Sequence, residues 1–225
     1  MEQNPPLLTL LSAAEIRDLV AAGEERRFTD NQNIHARGSD LPGLSVIKSG
    51  RVRFGIFGED GRYIQTGLLG QGHCFGEATL FANMPRAYDA DAVGETVILS
   101  VSKKKFDDLC DAHPGIAKAL LVTLTSRLYE ALDFADDIRR LSIETRIAKQ
   151  LFRFVASGGF SSETIPVRQT DLAYALGLSR VSVGKALETL KRRGLIELGY
   201  GEIRIADRAG LENWVIDHDS RHAER

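Results

Sequence analysis

The most informative side chains of this sequence lie in residues 168–194, RQTDLAYALGLSRVSVGKALETLKRRG, where the second of two short predicted helices carries a polar, partly basic face. Polar and cationic side chains are not needed for packing in a protein core, whereas a helix in a DNA groove presents such side chains to bases and phosphates. Five cations stand between residues 180 and 193 against the single acid Glu188. The candidate DNA contacts are Arg168, Thr170, Ser179, Arg180, Val181, Ser182 and Lys185.

Two predicted helices and a hairpin position these side chains. Thr170 is expected to cap the first helix and Gly177 to end it, after which Ser179 caps the second. An apolar stripe packs the second helix on the first and leaves the polar face outward; it consists of Val183, Ala186, Leu187 and Leu190. Residues 195–198 and 202–206 are typical of a β-hairpin, the wing of a winged helix-turn-helix. An ordinary helical hairpin with solvated charges is the alternative.

A second candidate site lies in residues 70–92, GQGHCFGEATLFANMPRAYDADA. Gly76, Glu77 and Ala78 open a short helical turn with exposed backbone N–H groups, and Arg86 follows nine residues after Glu77. Exposed amides, a guanidinium and a carboxylate together predict a site for a phosphate with a sugar hydroxyl beside it. A surface ion pair between Glu77 and Arg86 is the alternative.

The elements around this second site are β-rich. Residues 28–102 contain short runs punctuated by glycine, LSVIKSG, RVRFGIF, RYIQTGLL and TVILSV, which predict the strands of a sandwich or barrel. Val52, Phe54 and Ile56 alternate with charged or small residues as in a half-buried strand. The sequence Glu59-Asp60-Gly61-Arg62 predicts a hairpin turn.

Residues 113–138 predict one long helix that begins near Pro114. Its apolar residues recur at steps of four and three, which favours a seam with a partner helix over packing within one chain. The seam residues are Ala117, Leu121, Leu124, Leu128, Ala131, Ala135 and Ile138. Ser142 is expected to cap the next helix, so the hinge lies near 138–142. The expected domains are 1–112, 113–141 and 142–225.

Composition limits the classes of protein. The 225 residues carry a net charge of −2 with a pI near 6.2, which argues against a protein that coats nucleic acid non-specifically. The only cysteines are Cys74 and Cys110, no signal peptide is recognisable, and no apolar run reaches the ~18–20 residues of a membrane span. We expect a cytoplasmic protein with no membrane contact and no metal site.

The β-rich region, the 70–92 segment, the long helix and the helix-turn-helix with its SRVSVGK string resemble, in this order and over nearly the whole chain, the Crp/Fnr regulators. The resemblance implies an α+β fold: an N-terminal β-roll of the cyclic-nucleotide-binding type, a dimerisation helix and a C-terminal winged helix-turn-helix. It also implies a homodimeric transcriptional regulator that reads a palindromic site on double-stranded DNA, contacts RNA polymerase and is not an enzyme.

In the 70–92 segment the resemblance implies that Glu77 binds the ribose 2′-hydroxyl of a nucleotide. It also implies that Arg86 and the amides of Gly76 to Ala78 bind the cyclic phosphate. Ala87, Tyr88 and Asp89 depart from the small hydroxyl and small apolar residues that nucleotide-binding relatives place after the arginine. On the long helix, Ala131-Leu132 replaces a base-contacting Thr-Ser pair. A cyclic nucleotide is therefore a candidate effector for which the base contacts are missing.

In the recognition helix the resemblance places Arg180 opposite a guanine, whose O6 and N7 its guanidinium can bind together. Lys185 stands where cyclic AMP receptors have another arginine, and it can reach guanine as a point charge. Val181 replaces a glutamate that accepts a hydrogen bond from a cytosine, and a valine packs instead against a thymine methyl group. The predicted half-site keeps the guanine and changes at the position that faces residue 181.

Three alternatives remain open. Haem or redox sensing is prompted by His73 and Cys74, although His73 is more simply an exposed loop residue; an iron–sulfur cluster is disfavoured because residues 1–73 contain no cysteine. A hydrolase using Cys74 lacks any supporting motif. A regulator without an effector is consistent with the altered nucleotide site.

Overall fold

The structure is a computed structural model that describes residues 4–58, 61, 63–158 and 163–219. The chain divides into two compact units with the boundary between Tyr129 and Glu130, inside the long helix, and Ile64–Thr66 group with the second unit. Helices and strands are both abundant, so the predicted α+β class is confirmed.

The first unit is built on an antiparallel sheet. Its strands are β1 (Glu24–Phe28), β2 (Asn33–His35), β3 (Leu44–Phe57), β4 (Tyr63–Leu69), β5 (Cys74–Phe75) and β6 (Asp89–Val101). The main order is β1-β6-β3-β4, with β2 beside β6 and β5 beside β3. The long β6 thus pairs with three other strands, and the predicted β-roll is confirmed.

Strand β3 joins two predicted strands, LSVIKSG and RVRFGIF, into one of 14 residues. Gly50 makes this possible, because its φ of +80° bends the strand where any Cβ would lie 2.5 Å from the Glu95 carbonyl oxygen. Beyond the bend Val52 is buried as the alternation predicted, but Phe54 and Ile56 are only half-buried and Gly55 is buried. Of the predicted turn, Glu59, Asp60 and Arg62 lie outside the described residues, and Gly61 has a positive φ.

Helices that sequence analysis did not predict cover one face of this sheet. They are α1 (Ala13–Ala22), which follows a 3₁₀ turn at Leu7–Leu10, and α3 (Lys103–Ala112). Helix α2 (Glu77–Ala82) follows β5 and is the short helical turn that the sequence predicted. Ser12 and Ser102 cap α1 and α3 by accepting hydrogen bonds from backbone amides. The core between helices and sheet includes Leu19, Leu44, Leu80, Leu99, Phe106, Ile116 and Leu120.

The long helix α4 spans Pro114–Arg140, with proline in its first position as predicted. Ser142 then caps α5 (Ile143–Gly158), and its hydroxyl accepts a hydrogen bond from the Thr145 amide at 3.3 Å. None of the helices in the described part of the chain is long and apolar enough to cross a membrane.

The second unit continues with β7 (Thr164–Ile165), α6 (Gln169–Ala175), α7 (Arg180–Arg192), β8 (Ile196–Leu198), β9 (Ile203–Ile205) and α8 (Arg208–His218). Strands β8 and β9 form the predicted antiparallel hairpin, and β7 adds an unpredicted third strand beside β9. The core of this unit lies among α5, α6, α7 and the hairpin. A winged helix-turn-helix is therefore confirmed.

Candidate nucleic-acid interface and anion site

The first helix of the helix-turn-helix begins two residues earlier than the sequence indicated. Arg168, not Thr170, is the N-cap of α6, and Thr170 is already inside the helix. The cap is made by Asp171, whose carboxylate accepts a hydrogen bond from the Arg168 amide at 3.2 Å. The prediction of Thr170 as N-cap was wrong because Asp171, at the third position of α6, accepts from the backbone amide of Arg168 and fixes the start of the helix there. Arg168 is exposed and Thr170 half-exposed.

The turn between α6 and α7 has the geometry that the sequence predicted. Gly177 has a φ of +62°; its amide donates to the Tyr174 carbonyl at 3.0 Å, and the Leu178 amide donates to the Ala173 carbonyl at 2.7 Å. This pair of bonds is a Schellman motif, which closes a helix through a left-handed residue. Ser179 then caps α7, accepting a hydrogen bond from the Ser182 amide at 3.0 Å.

Helix α7 has one buried and one exposed face. The predicted stripe is fully buried and consists of Val183, Ala186, Leu187 and Leu190. On the opposite side Arg180 and Lys185 are exposed, and Val181 retains 67% of its accessible surface. Ser182 is half-exposed, and its hydroxyl lies 2.8 Å from that of Ser179. The predicted candidate contacts therefore lie on the N-terminal, outward part of the helix.

A buried arginine that sequence analysis missed donates a hydrogen bond to the end of α6, next to the turn. Arg146 of α5 is buried and its Nη2 donates to the Leu176 carbonyl, at the C-terminal end of α6. A cation suits the negative end of a helix. Burial lowers the pKa of Arg146, and the neighbouring Asp137 opposes this effect. The sequence signal was a charged residue next to the apolar residues Ile147 and Ala148 of α5.

The wing follows α7 directly and ends in an exposed aromatic side chain. The Gly199 amide donates to the Glu202 carbonyl at 3.0 Å and closes the turn, and Gly201 has a φ of +73°. Tyr200 between them is fully exposed. On the outer face of the hairpin, Arg204 forms an ion pair with its cross-strand neighbour Glu197.

The anion site of the first unit is centred on Arg86, which is only 8% exposed. Its Nη2 donates to the carbonyl oxygens of Leu41 at 3.1 Å and Gly43 at 3.5 Å. Its Nε and Nη1 atoms are buried and have no hydrogen-bond acceptor among the described residues. Burial lowers the pKa of Arg86. A buried cation with two unused donors is expected to bind an anion.

Glycine is required beside this guanidinium. Gly76, the N-cap of α2, has a φ of +102°, and a Cβ there would lie 2.2 Å from Arg86 Nη1. Only glycine tolerates both the backbone conformation and the close approach. The predicted neighbours Ala78 and Ala87 are exposed, whereas Asp89 is buried and accepts a hydrogen bond from the Arg37 amide at 3.0 Å.

Glu77 pairs with Arg127 of α4 rather than with Arg86. Arg127 Nη1 lies 2.5 Å from Glu77 Oε1, and its Nη2 donates to the Cys74 carbonyl at 2.7 Å. The Cys74 thiol donates to the same Glu77 oxygen at 3.2 Å. The proposed surface ion pair between Glu77 and Arg86 is therefore wrong. Arg127 was missed, although it is the only cation of α4 between Lys118 and Arg139.

Cys74 and two histidines near the anion site are buried. Burial and the nearby Glu77 raise the pKa of the Cys74 thiol well above its ordinary value, which opposes its action as a nucleophile. His73 is 3% exposed, so the expectation of an exposed loop residue was wrong; its carbonyl accepts a hydrogen bond from the Ile47 amide at 2.9 Å and holds the loop against β3. Burial, with the neighbouring Arg127, lowers the pKa of His73 to about 4. Burial, with Arg86, does the same for His35.

A third candidate surface is an exposed apolar face of α4. Its large members are Leu121, Val122, Leu128, Tyr129, Leu132 and Ile138. Of the predicted seam, Ala131 and Ala135 are also exposed, but Ala117 is half-buried and Leu124 packs on the core of its own unit. The exposed face therefore lacks Ala117 and Leu124 of the predicted seam and adds Val122, Tyr129 and Leu132.

Comparisons with known proteins agree with both halves of the chain. Residues 25–113 match the family model of the cyclic nucleotide-binding domain, and residues 145–214 match that of the Crp-like helix-turn-helix domain. The chain is 29% identical over 185 residues to a CRP-like cAMP-activated global transcriptional regulator of Mycobacterium tuberculosis, covering 80% of this chain and 83% of the relative.

Two Thermus thermophilus proteins extend the similarity. The cyclic AMP receptor protein of that species is 28% identical over 210 residues, which cover 93% of this chain and 96% of the relative. The crystal structure of a CRP/FNR-family transcriptional regulator from the same species superimposes with a TM-score of 0.70 at 25% identity, covering 85% of this chain and 98% of that one.

Proposed function

Because this chain belongs to the Crp/Fnr family of transcriptional regulators, we propose that it reads a palindromic DNA site as a homodimer, with one α7 helix in each half-site. The family assignment makes it a DNA-binding transcriptional regulator, and its relatives are regulators rather than enzymes. The observation that carries the proposal is α7 itself, which exposes Arg180, Val181 and Lys185 while its apolar stripe is buried.

Each exposed side chain has a role that its chemistry permits. Arg180 binds guanine O6 and N7 with two N–H donors, and Lys185 adds a single charged donor. Val181 cannot accept a hydrogen bond from cytosine and packs against a thymine methyl group. Arg168, Thr170, Ser179 and Ser182 contact backbone phosphates and fix the register of the helix.

Selection of binding sites from random DNA tests this assignment. The expected consensus is a palindrome whose half-site contains a guanine opposite Arg180 and a T·A pair facing Val181. Repeating the selection with Val181→Glu should convert that pair to C·G and leave the guanine unchanged. A consensus that is not palindromic, or that does not respond to the Val181 substitution, would contradict the proposed reading.

The exposed face of α4 is the proposed dimer interface. Two copies of an apolar helix face bury each other, and the two recognition helices then meet successive major grooves about one helical turn apart. We keep the predicted boundaries at 112/113 and 141/142 as the limits of the effector domain, the dimerisation helix and the DNA-binding domain. Contact with RNA polymerase is part of the same proposal.

The effector is proposed to be an anion bound by Arg86. Two buried nitrogen atoms of Arg86, Nε and Nη1, have no acceptor among the described residues, which fits the phosphate of a cyclic nucleotide. Glu77 lies close by, although its Oε1 is already bound by Arg127 and Cys74. The relatives from Mycobacterium and Thermus, a cAMP-activated regulator and a cyclic AMP receptor, make cyclic AMP the first ligand to test.

Calorimetry of the full chain with cyclic AMP and cyclic GMP tests this part of the proposal. Binding should disappear in Arg86→Ala and persist in the control Arg17→Ala, which removes an exposed arginine of α1. Equal binding by the Arg86 variant would refute the assignment of the anion site. An absence of heat with either nucleotide would favour a regulator without a nucleotide effector.

A further inference from the structure

Two buried carboxylates and a lysine link the end of α4 to the rest of the DNA-binding unit. Lys149 of α5 lies 2.7 Å from Asp137 of α4 and 3.2 Å from Asp219, the residue that follows α8. Both aspartates are 2% exposed. The second oxygen of Asp137 binds Arg153 at 2.9 Å, and that of Asp219 binds Arg140 at 3.4 Å. We call these five residues the carboxylate latch.

Local helix stability does not explain the two aspartates. Asp137 lies in the last turn of α4 and Asp219 caps the C-terminal end of α8. A helix has partial negative charge at this end, so both carboxylates oppose the local dipole. Both carboxylates form ion pairs with cations from other elements: Asp137 with Lys149 and Arg153 of α5, and Asp219 with Lys149 and with Arg140 of α4. The two aspartates therefore do not stabilise α4 or α8 as isolated helices. Their ion pairs favour one arrangement of α4, α5 and α8 relative to one another.

Burial of the charges makes this arrangement specific rather than strongly stabilising. Desolvation offsets most of the attraction in a buried ion pair, but loss of one partner leaves an uncompensated charge. Any rotation of α4 that separated Asp137 from Lys149 and Arg153 would have this cost. Packing acts in the same direction, because Phe134 of α4 contacts the core of the unit and lies 5.6 Å beneath the Arg153 guanidinium.

The latch therefore joins the last turn of α4 to α5 and to the end of α8, and α5 in turn contacts α7. Continuing from the proposed function, in which α4 pairs with its copy, a fixed α4 also fixes the distance between the two α7 helices. We propose that the carboxylate latch sets the spacing between half-sites that the dimer accepts, with Asp137, Lys149 and Asp219 as positioning residues for DNA recognition.

The test compares palindromes that share one half-site but differ in spacing. One added or removed base pair moves a half-site by ~3.4 Å and turns it by ~35°. Affinity is measured by mobility shift for spacings of −1, 0, +1 and +2 base pairs around the selected one. At each altered spacing the wild type should bind about tenfold more weakly than at the selected spacing, which is the effect of losing one bidentate base contact.

Asp137→Asn and Asp219→Asn should bind the altered spacings nearly as well as the selected one. Asp217→Asn is the control, because Asp217 is exposed on the same helix as the cap at Asp219. The double variant Lys149→Met with Asp219→Asn removes one charge of each sign. Asp137 keeps its ion pair with Arg153, and Arg140 keeps its ion pair with Asp136. It should melt close to the wild type and still tolerate altered spacing, which a purely stabilising role would not produce.

The outcomes separate this proposal from the one on which it rests. A wild type that binds no palindrome overturns both. A wild type with a preferred spacing that all latch variants retain, whatever their melting temperatures, overturns the latch alone. Relaxed spacing in Asp217→Asn as well would also overturn it, since that variant leaves the latch intact.

Discussion

The apolar face of α4 allows a quantitative test that separates dimerisation from folding. Leu128 and Leu132 retain 59% and 57% of their accessible surface. Complete burial of a leucine contributes about 1.5–3 kcal/mol, so covering this remaining surface contributes about 1–2 kcal/mol per side chain. A homodimer contains each leucine twice. Leu128→Ala or Leu132→Ala should therefore weaken association by about 2–4 kcal/mol, which raises the dimer dissociation constant about 30- to 800-fold.

Sedimentation equilibrium measures that constant, and two further variants serve as controls. Ile216→Ala removes a side chain of similar exposure, 51%, from α8 and should leave association unchanged. Leu124→Ala belongs to the predicted seam but packs on the core of its own unit, so it should lower the melting temperature more than it weakens the dimer. Unchanged association in both Leu128→Ala and Leu132→Ala, or an equal effect of Ile216→Ala, would refute the assignment of this face.

Three other predictions concern the remaining surfaces. Arg180→Ala should weaken binding to the selected site by about 1–3 kcal/mol and relax specificity at the guanine, whereas Lys191→Ala should weaken binding evenly across sequences; competition assays with mutated sites distinguish them. His35 and His73 have pKa values near 4 in the folded state, below the ordinary 6.5, so the unfolded chain binds more protons between these values and stability should fall as pH drops from about 6.5 to 4. Melting curves check this, and replacing both histidines with glutamine should flatten the dependence. Gly76→Ala should destabilise the protein more than Gly94→Ala, since a left-handed backbone costs a non-glycine residue ~1–2 kcal/mol at either position but only Gly76 has Arg86 in contact. Equal melting temperatures of these two variants would contradict the close packing of Arg86.

The sequence determined what depends on neighbours along the chain. The apolar stripe of α7, the left-handed Gly177, the cap at Ser179 and the wing are set by residues a few positions apart, and the structure contains them as predicted. The family resemblance was visible for the same reason, because its motifs are local. The N-cap of α6 was misplaced by only two residues, since Asp171 accepts a hydrogen bond from the Arg168 amide and the helix begins after Arg168 rather than after Thr170.

Only the tertiary structure decided which distant side chains meet. Arg127 reaches Glu77 across 50 residues and Lys149 reaches Asp219 across 70, and no periodicity in the sequence indicates either contact. The direction of Leu124 likewise follows from what packs beneath α4, because a heptad pattern gives spacing but not which face a domain covers. Burial of His73 depends on the pairing of its loop with β3. Charges in a protein interior gain their roles from partners brought together by folding, so the unused donors of Arg86 and the carboxylate latch could be recognised only in the tertiary structure.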